Sequence, residues 1–185
     1  MKILAVQNRM GIGDMIIFLP FIEAIAKKFD SPVSILVKEN TKSSEILKNT
    51  PYIDKIIFLD RNYRTKKGRH FGFSGTLNLA SDIQKYNFDK VFIFNSSLRF
   101  RLIMKIAKIK DIYQYKLFDK KKQNIIKAAQ DFLKKSINLD VESKPTISIN
   151  PKDINEAFVK YNIVKKNINI LLGIGGSGDT KRVPA

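Results

Sequence analysis

Residues 2–29, KILAVQNRMGIGDMIIFLPFIEAIAKKF, decide the fold of this chain. An apolar run at Ile3–Val6 is followed by a polar stretch, by Gly11-Ile12-Gly13-Asp14, and then by a long apolar segment that begins at Met15. This order predicts a buried strand, a glycine turn and a helix, which is how an α/β domain opens. Open α/β sheets bind ligands outside the carboxyl ends of their strands, so the turn is the first candidate for a functional site.

Asp14 stands in the first turn of the predicted helix. Unpaired backbone N–H groups and the positive end of the helix dipole favour a carboxylate there, so one interpretation is a helix cap. The other is a general base that accepts a proton from a substrate hydroxyl. Gly11 and Gly13 are expected to adopt backbone angles that other residues avoid and to let another molecule approach the main chain.

Apolar runs and helical patterns alternate along the rest of the chain. Strands are predicted at residues 33–37, 55–59, 90–94 and 112–115, and helices at residues 43–48, 76–86, from 98 onward, 122–137 and 154–164. Such alternation predicts a Rossmann-like α/β fold, in which a parallel sheet is flanked by crossover helices.

A basic loop between residues 60 and 75 interrupts this alternation. It carries Arg61, Arg64, Lys67 and Arg69 among aromatic residues, and Arg99 follows the next strand. Arg is a good ligand for phosphate and carboxylate, so these residues are candidates for binding an acidic substrate. A solvated loop and a surface arginine are the alternatives.

The composition limits the classes of function. The chain of 185 residues contains 34 Lys and Arg against 17 Asp and Glu, a net charge of +17, which indicates acidic partners or a generally basic surface. It contains no Cys and one His, His70, so thiolate metal sites and Cys or Ser/His nucleophiles are poor candidates. No secretory signal is evident, and we expect a cytoplasmic protein whose contact with a membrane would be peripheral.

The last part of the chain has the pattern of a new domain. Residues 138–151 are polar, a strand is predicted at 167–172, and residues 173–182 combine glycines with Ser177, Thr180 and Lys181. Open backbone N–H groups, hydroxyls and cations together are typical of a phosphate site. We therefore expect an N-terminal domain at 1–150, and at 151–185 a linker helix and the truncated start of a second α/β domain.

Two familiar nucleotide motifs are incomplete. The first glycine turn lacks the third glycine of the dinucleotide fingerprint, and Asp179 stands where a Walker loop needs Lys. A nucleotide-dependent oxidoreductase and a non-catalytic basic module that binds nucleic acid remain alternatives. No recognition helix or aromatic RNA-reading motif is present, so nucleic acid is not the expected partner.

An ordered set of segments resembles the ADP-heptose:lipopolysaccharide heptosyltransferases of glycosyltransferase family 9. The resemblance rests on GIGDM at residues 11–15, LP at 19–20, NTPYIDKIIFLD at 49–60, FDKVFIFN at 88–95, SSLR at 96–99, and GS at 176–177 with TKRVP at 180–184. It covers nearly the whole chain and implies the N-terminal portion of a two-domain GT-B fold.

The resemblance also implies a function and a site. It implies inverting, metal-independent transfer of heptose or a related sugar from ADP-heptose to a lipopolysaccharide inner-core acceptor, with no cofactor, at the cytoplasmic face of the inner membrane. It makes Asp14 the base and Ser177, Thr180 and Lys181 the ligands of the donor diphosphate. The acceptor, an acidic saccharide linked to a lipid, would lie against Arg61, Arg64, Lys67, Arg69 and Arg99. We expect the fragment alone to be inactive.

Overall fold

The computed structural model describes residues 1–9, 11–62, 65, 67–116, 124–164 and 166–170. The chain divides into two compact units, Met1–Ser148 and a smaller one from Ile149 onward. None of the helices described is both long enough and apolar enough to cross a membrane.

The first unit alternates strands and helices. The strands are β1 (Ile3–Val6), β2 (Val33–Val37), β3 (Ile53–Phe58), β4 (Lys90–Ile93) and β5 (Asp111–Gln114). The helices are α1 (Ile12–Phe29), the short α2 (Ser43–Ile46), α3 (Gly72–Gln84), α4 (Leu98–Ile106) and α5 (Ile125–Ile137), and a 3₁₀ turn precedes α2 at Glu39–Thr41.

All five strands are parallel and lie in the order β3-β2-β1-β4-β5. Ile3 pairs with Val33 on one side of β1 and with Lys90 on the other. The chain builds outward from β1 through β2 to β3 and then returns to the other side of β1 for β4. The boundary between β1 and β4 is therefore the point where the direction of winding reverses, which is where such sheets form a ligand crevice.

Two apolar layers cover the sheet, one on each face. Ile3 and Ala5 point into the layer of α1 and α5, whereas Leu4 and Val6 point into the layer of α3 and α4. Strands buried on both faces read as continuous apolar runs, which is why β1, β2 and β4 are visible in the sequence. Each fully buried Phe, Leu or Ile contributes about 1.5–3 kcal/mol by removal from water.

The predicted strands of the sheet are all present, with ends that differ by at most two residues. The helices differ more at their starts. Helix α1 begins at Ile12, so Asp14 lies in its first turn as predicted, and Gly11 and Asp14 form its cap. Helix α3 begins at Gly72, four residues before the predicted start, because its first turn lies in the segment predicted as loop.

The second unit contains helix α6 (Pro151–Lys160), which has no buried residue. The Asn150 side chain accepts a hydrogen bond from the Lys152 backbone N–H at 2.9 Å and so fixes the start of the helix, three residues earlier than predicted. Residues 167–170, the described part of the predicted strand 167–172, form no strand here. The domain boundary at residue 150 stays a prediction.

Candidate functional site

Three chain segments meet at the carboxyl edge of the sheet beside the point of reversal. Residues 7–9 leave β1, residues 94–97 leave β4, and residues 115–116 leave β5. The Asn95 side-chain amide donates to the Asn8 side-chain oxygen at 3.3 Å, which ties the ends of β1 and β4 together. The Arg9 backbone N–H donates to Gln7 Oε1 at 2.8 Å, and this hydrogen bond restrains the backbone that carries the Arg9 side chain.

Asp14 lies at this edge, in the third helical position of α1. Its Oδ2 accepts a hydrogen bond from the Gly11 backbone N–H at 3.2 Å, and its Oδ1 lies 3.8 Å from Arg9 Nη1. The carboxylate is 28% exposed, so solvent or a ligand reaches it. Asp14 is therefore a helix cap and at the same time an accessible carboxylate beside a cation, and the two interpretations of this residue are compatible.

The glycines of the turn do not act as expected. Gly11 has φ −109° and ψ 156°, an extended conformation open to any residue, and Gly13 lies inside the helix. A Cβ on Gly11 would lie 3.2 Å from Asp14 Oδ2, whereas a Cβ on Gly13 would have no atom within 4 Å. A side chain at position 11 would therefore crowd the Asp14 carboxylate, which would have to shift by a few tenths of an ångström. Since the Gly11 N–H is bonded to Asp14, that donor is not directed at a phosphate, which counts against dinucleotide binding at this turn.

A cleft of about 460 Å³ opens beside Asp14's partner Arg9, between the ends of β4 and β5 and helix α5. Its apolar floor is an aromatic cluster in which Phe94 and Tyr115 both meet the ring of Phe132 edge to face, with centroids 5.4 and 5.0 Å apart. The polar residues that line it are Arg9, Ser96, Gln114, Lys116, Asp131, Lys135 and Ser136. An apolar floor with polar groups around it is the usual form of a small-molecule site.

Two buried polar atoms in this cleft have no hydrogen-bond partner among the described residues, Gln114 Oε1 and Tyr115 Oη. The other end of the Gln114 amide is fixed, because Nε2 donates to the carbonyls of Asn95 and Ser97 at 3.1 and 2.9 Å. Burial raises the pKa of the Tyr115 phenol well above its usual range, against the opposing charge of Arg9. Buried polar groups without partners are rare in native proteins, so these two mark a place beside the cleft where hydrogen bonds are missing.

The predicted acceptor loop is occupied by contacts within the protein. Arg69 donates from Nε and Nη2 to the carboxylate of Asp82 on α3, at 2.8 and 3.0 Å. Lys85 Nζ donates to the same carboxylate at 2.9 Å. The Arg69 guanidinium holds the pKa of Asp82 far below its usual range, and Asp82 raises the pKa of Arg69. A role for Arg69 in acceptor binding would require this pair to be shared or broken.

His70 lies in that loop, and its side chain is buried. Its Nδ1 accepts from the Asp60 backbone N–H at 3.1 Å, which leaves Nε2 as the nitrogen that donates to Asp82 Oδ2 at 3.2 Å. Arg99 Nη2 donates to the His70 carbonyl at 2.6 Å, so this candidate acceptor residue also holds the loop against the start of α4. No local sequence pattern predicts this role of the single histidine.

Of the remaining candidate residues in the loop, the structure describes two. The Arg61 guanidinium lies 5.6 Å from the centre of the Phe71 ring, and the exposed Lys67 forms an isolated antiparallel bridge with Asn62. Arg64 lies outside the described residues. Lys38, which follows β2 and was not predicted as a site residue, is buried near this loop, and burial together with the Arg61 charge lowers its pKa.

The predicted donor ligands Ser177, Thr180 and Lys181 lie outside the described residues, so their role stays a prediction. Over the ranges that are described, no three His, Asp or Glu side chains are grouped so that they could hold a metal ion.

No protein-family model matches the chain, and no curated protein matches it. Solved structures match its fold. A structure of a glycosyl transferase family 9 protein from Veillonella parvula is similar with a TM-score of 0.71 and 19% identity, over 99% of this chain and 56% of that one. E. coli ADP-heptose lipopolysaccharide heptosyltransferase II has a TM-score of 0.60 and 12% identity, over 89% and 52% of the two chains.

A third structure, E. coli heptosyltransferase WaaC with ADP-2-deoxy-2-fluoro heptose, has a TM-score of 0.51 and 13% identity, over 90% of this chain and 56% of that one. The chain thus spans about half the length of each of these proteins. Since the identities are low, the likeness concerns the fold. The Rossmann-like parallel sheet predicted from the sequence is confirmed, and it is the fold found in about half of each of these glycosyltransferase structures.

Proposed function

We propose that this chain is the acceptor-binding half of a glycosyltransferase that moves heptose, or a related sugar, from ADP-heptose to a lipopolysaccharide inner-core acceptor in the cytoplasm. The observation that carries the proposal is the Asp14 carboxylate, accessible at the carboxyl edge of the sheet, fixed by the Gly11 N–H at 3.2 Å and lying 3.8 Å from Arg9. The fold of family 9 glycosyltransferase structures supports the same class of reaction.

In the proposed step, an acceptor hydroxyl attacks the anomeric carbon of the donor sugar as its proton passes to an oxygen of Asp14. The bond from that carbon to the diphosphate oxygen breaks, and its electron pair leaves with the nucleoside diphosphate. Attack from the side opposite the leaving group inverts the anomeric centre. A base of this kind must lie within hydrogen-bond reach of the hydroxyl, and its contribution to the rate is typically about 10²–10⁴-fold.

The cleft beside Arg9 is the proposed seat of the acceptor sugar. Its aromatic floor suits the apolar face of a sugar ring, and the unpartnered Gln114 Oε1 and Tyr115 Oη offer hydrogen bonds to sugar hydroxyls. Arg9, Lys116 and Lys135 line the same cleft and would attract an acidic saccharide. The proposal thus places the acceptor sugar at the ends of β1, β4 and β5, in a cleft that Arg61, Lys67 and Arg69 do not line.

The donor diphosphate is assigned to the predicted glycine-rich loop with Ser177, Thr180 and Lys181. Cations and hydrogen-bond donors at that place would stabilise the negative charge that develops as the diphosphate leaves. The proposed transfer is metal-independent, in line with the resemblance. The known WaaC structure that is similar in fold contains ADP-2-deoxy-2-fluoro heptose, which supports a nucleotide sugar as donor.

The test is the substitution Asp14→Asn in a full-length protein that contains this chain. The amide oxygen still accepts from the Gly11 N–H but is a far weaker base, so we expect transfer from ADP-heptose to fall by about 10²-fold or more. The free energy of unfolding should fall by about 1 kcal/mol or less, from the lost interaction with the helix dipole.

Glu23→Gln is the matched control. Glu23 lies in the same helix, is also 28% exposed, and pairs with Lys27 at 2.7 Å, so it loses a comparable ion pair away from the site. Turnover of the control should equal that of the wild type. Turnover of Asp14→Asn within about threefold of the control would contradict a base role, since base catalysis is worth far more.

A further inference from the structure

Arg9 lies between the Asp14 carboxylate and the cleft. Its Nη1 is 3.8 Å from Asp14 Oδ1, and its side chain lines the cleft together with Phe18 and Tyr115. Phe18 follows Asp14 by four residues in α1, so both side chains lie on the same face of that helix. Burial raises the pKa of the Tyr115 phenol and the charge of Arg9 opposes this, so the guanidinium is close to both groups.

The Arg9 guanidinium has hydrogen-bonding capacity that the described residues do not use. Its one charged contact among them is the approach to Asp14, and 3.8 Å is too long for a hydrogen bond. The side chain is 49% exposed, while the Arg9 backbone is restrained by Gln7 Oε1 at 2.8 Å. A planar guanidinium with several N–H donors, fixed at its backbone and open to solvent, suits bidentate binding of a carboxylate or phosphate.

The described lining of the cleft has an excess of positive charge. Its carboxylate, Asp131, pairs with Lys127 at 2.9 Å. The cations that line the cleft are Arg9, Lys116 and Lys135. Of these, Arg9 is the one in contact with Asp14, so an anionic group bound to it lies next to that carboxylate.

We propose that Arg9 is a positioning residue that Asp14 shares with the acceptor sugar. An anionic group of the sugar binds the Arg9 guanidinium, and this contact places a neighbouring hydroxyl beside Asp14. The anion also draws Arg9 away from Asp14 and leaves that carboxylate to the hydroxyl. Because an acidic acceptor in this cleft is part of the proposed function, this role of Arg9 rests on that function.

Sharing of one cation couples the two sites. Asp14 and the anionic group compete for Arg9, so each weakens the contact of the other with the guanidinium. Such coupling is reciprocal, and removal of the Asp14 charge therefore strengthens binding of the anion through Arg9. A residue that only supported the fold of the turn would not produce this dependence.

The experiment is an NMR titration of the chain with glucose, glucuronate and glucose 6-phosphate, which carry no anion, a carboxylate and a phosphate. The wild type should bind one or both anionic sugars about fivefold more tightly than glucose, and the preferred probe identifies the anionic group. In Arg9→Gln the preference should fall below about twofold. Arg9→Lys keeps the charge without the planar guanidinium and should lie between the two.

Asp14→Asn tests the sharing of Arg9. The preferred anionic sugar should bind this variant about two- to fivefold more tightly than the wild type, because Arg9 no longer pairs with Asp14. When Arg9 is already Gln, the change Asp14→Asn should alter binding by less than about twofold.

Arg101→Gln is the matched control, since Arg101 is also partly exposed, lies in α4 and does not line the cleft. Its preference for the anionic sugars should stay within about twofold of that of the wild type. Equal binding of all three probes by the wild type would overturn the proposal. So would a preference that survives in Arg9→Gln, an equal loss in Arg101→Gln, or equal tightening by Asp14→Asn with and without Arg9.

The titration requires no turnover, so its failure is distinguishable from failure of the proposed reaction. Loss of turnover in full-length Asp14→Asn, without a preference that depends on Arg9, contradicts the role of Arg9 and leaves the base assignment intact. A preference that depends on Arg9, with undiminished turnover of Asp14→Asn, contradicts the base assignment and leaves Arg9 as the ligand of the anion.

Discussion

The structure predicts a large loss of stability when Gly75 is substituted. Gly75 lies in α3 where the Arg69 loop crosses the helix, and a Cβ at this position would lie 2.2 Å from the carbonyl carbon of His70, 2.7 Å from its oxygen and 2.8 Å from its Cα. All three are backbone atoms, and ordinary carbon contacts are about 3.5–4 Å. The substitution Gly75→Ala therefore requires the loop to move by more than 1 Å, on the order of the difference between these contacts.

The His70 backbone cannot move freely. Its N–H donates to the Asp60 carbonyl at 2.9 Å, its carbonyl accepts from Arg99 at 2.6 Å, and its ring bonds to Asp82. Overpacking of this kind costs about 1–3 kcal/mol, and each weakened hydrogen bond adds about 1 kcal/mol. The better helix propensity of Ala returns about 1 kcal/mol. We expect Gly75→Ala to lose about 3 kcal/mol in the free energy of unfolding, a large share of a typical domain's 5–15 kcal/mol.

Urea denaturation followed by circular dichroism measures this loss. In thermal unfolding, the melting temperature should fall by about 6–12 °C for a chain of this size. Gly13→Ala is the matched control, because a Cβ there meets no atom within 4 Å. It should be neutral or more stable by up to about 1 kcal/mol. If Gly75→Ala were within about 0.5 kcal/mol of the wild type, a typical effect of an ordinary surface substitution, the close approach of the loop to α3 would be refuted.

Two other substitutions test the polar groups around the site. Asp82→Asn should cost about 1–2 kcal/mol in the free energy of unfolding at neutral pH after allowance for solvent screening. Because the pKa of Asp82 is depressed in the folded state, its contribution is complete above the unfolded value of about 3.9 and is lost as the pH falls below it, so the gap between wild type and variant should narrow from pH 5 to pH 2 in urea titrations. A constant gap would contradict the ion pair. Tyr115→Phe removes a buried hydroxyl that has no partner among the described residues, so stability should be unchanged or rise by up to about 1 kcal/mol, while binding of a saccharide in the cleft, followed by calorimetry, should weaken. A loss above 1 kcal/mol without ligand would show that the hydroxyl is bonded in the folded protein.

Features of this fold that depend on neighbouring residues in the chain could be predicted from the sequence. The runs Ile3–Val6 and Val33–Val37 are buried on both faces, so composition alone marks them as strands. Asp14 could be placed in a first helical turn because capping is set within a few residues. The start of α3 was predicted too late, since its exposed first turn leaves no apolar periodicity.

Pairings across the fold could not be read from the chain. Asp82 lies 13 residues from Arg69. The local sequence pattern around an arginine is the same whether the arginine binds a ligand anion or pairs with a carboxylate on the next helix. The same holds for His70 and Arg99, which are 29 residues apart and meet only because α3 and α4 pack side by side.

The sequence by itself determined that this is an α/β chain with a parallel sheet, a capped first helix and an acidic residue after its first strand, because strand burial and helix capping are short-range properties. Only the tertiary structure decided the strand order, the cleft between β4, β5 and α5, and the exposure of apolar residues such as Phe73 and Leu98. Those depend on which elements become neighbours, and neighbours far apart in sequence are chosen by packing of the whole core.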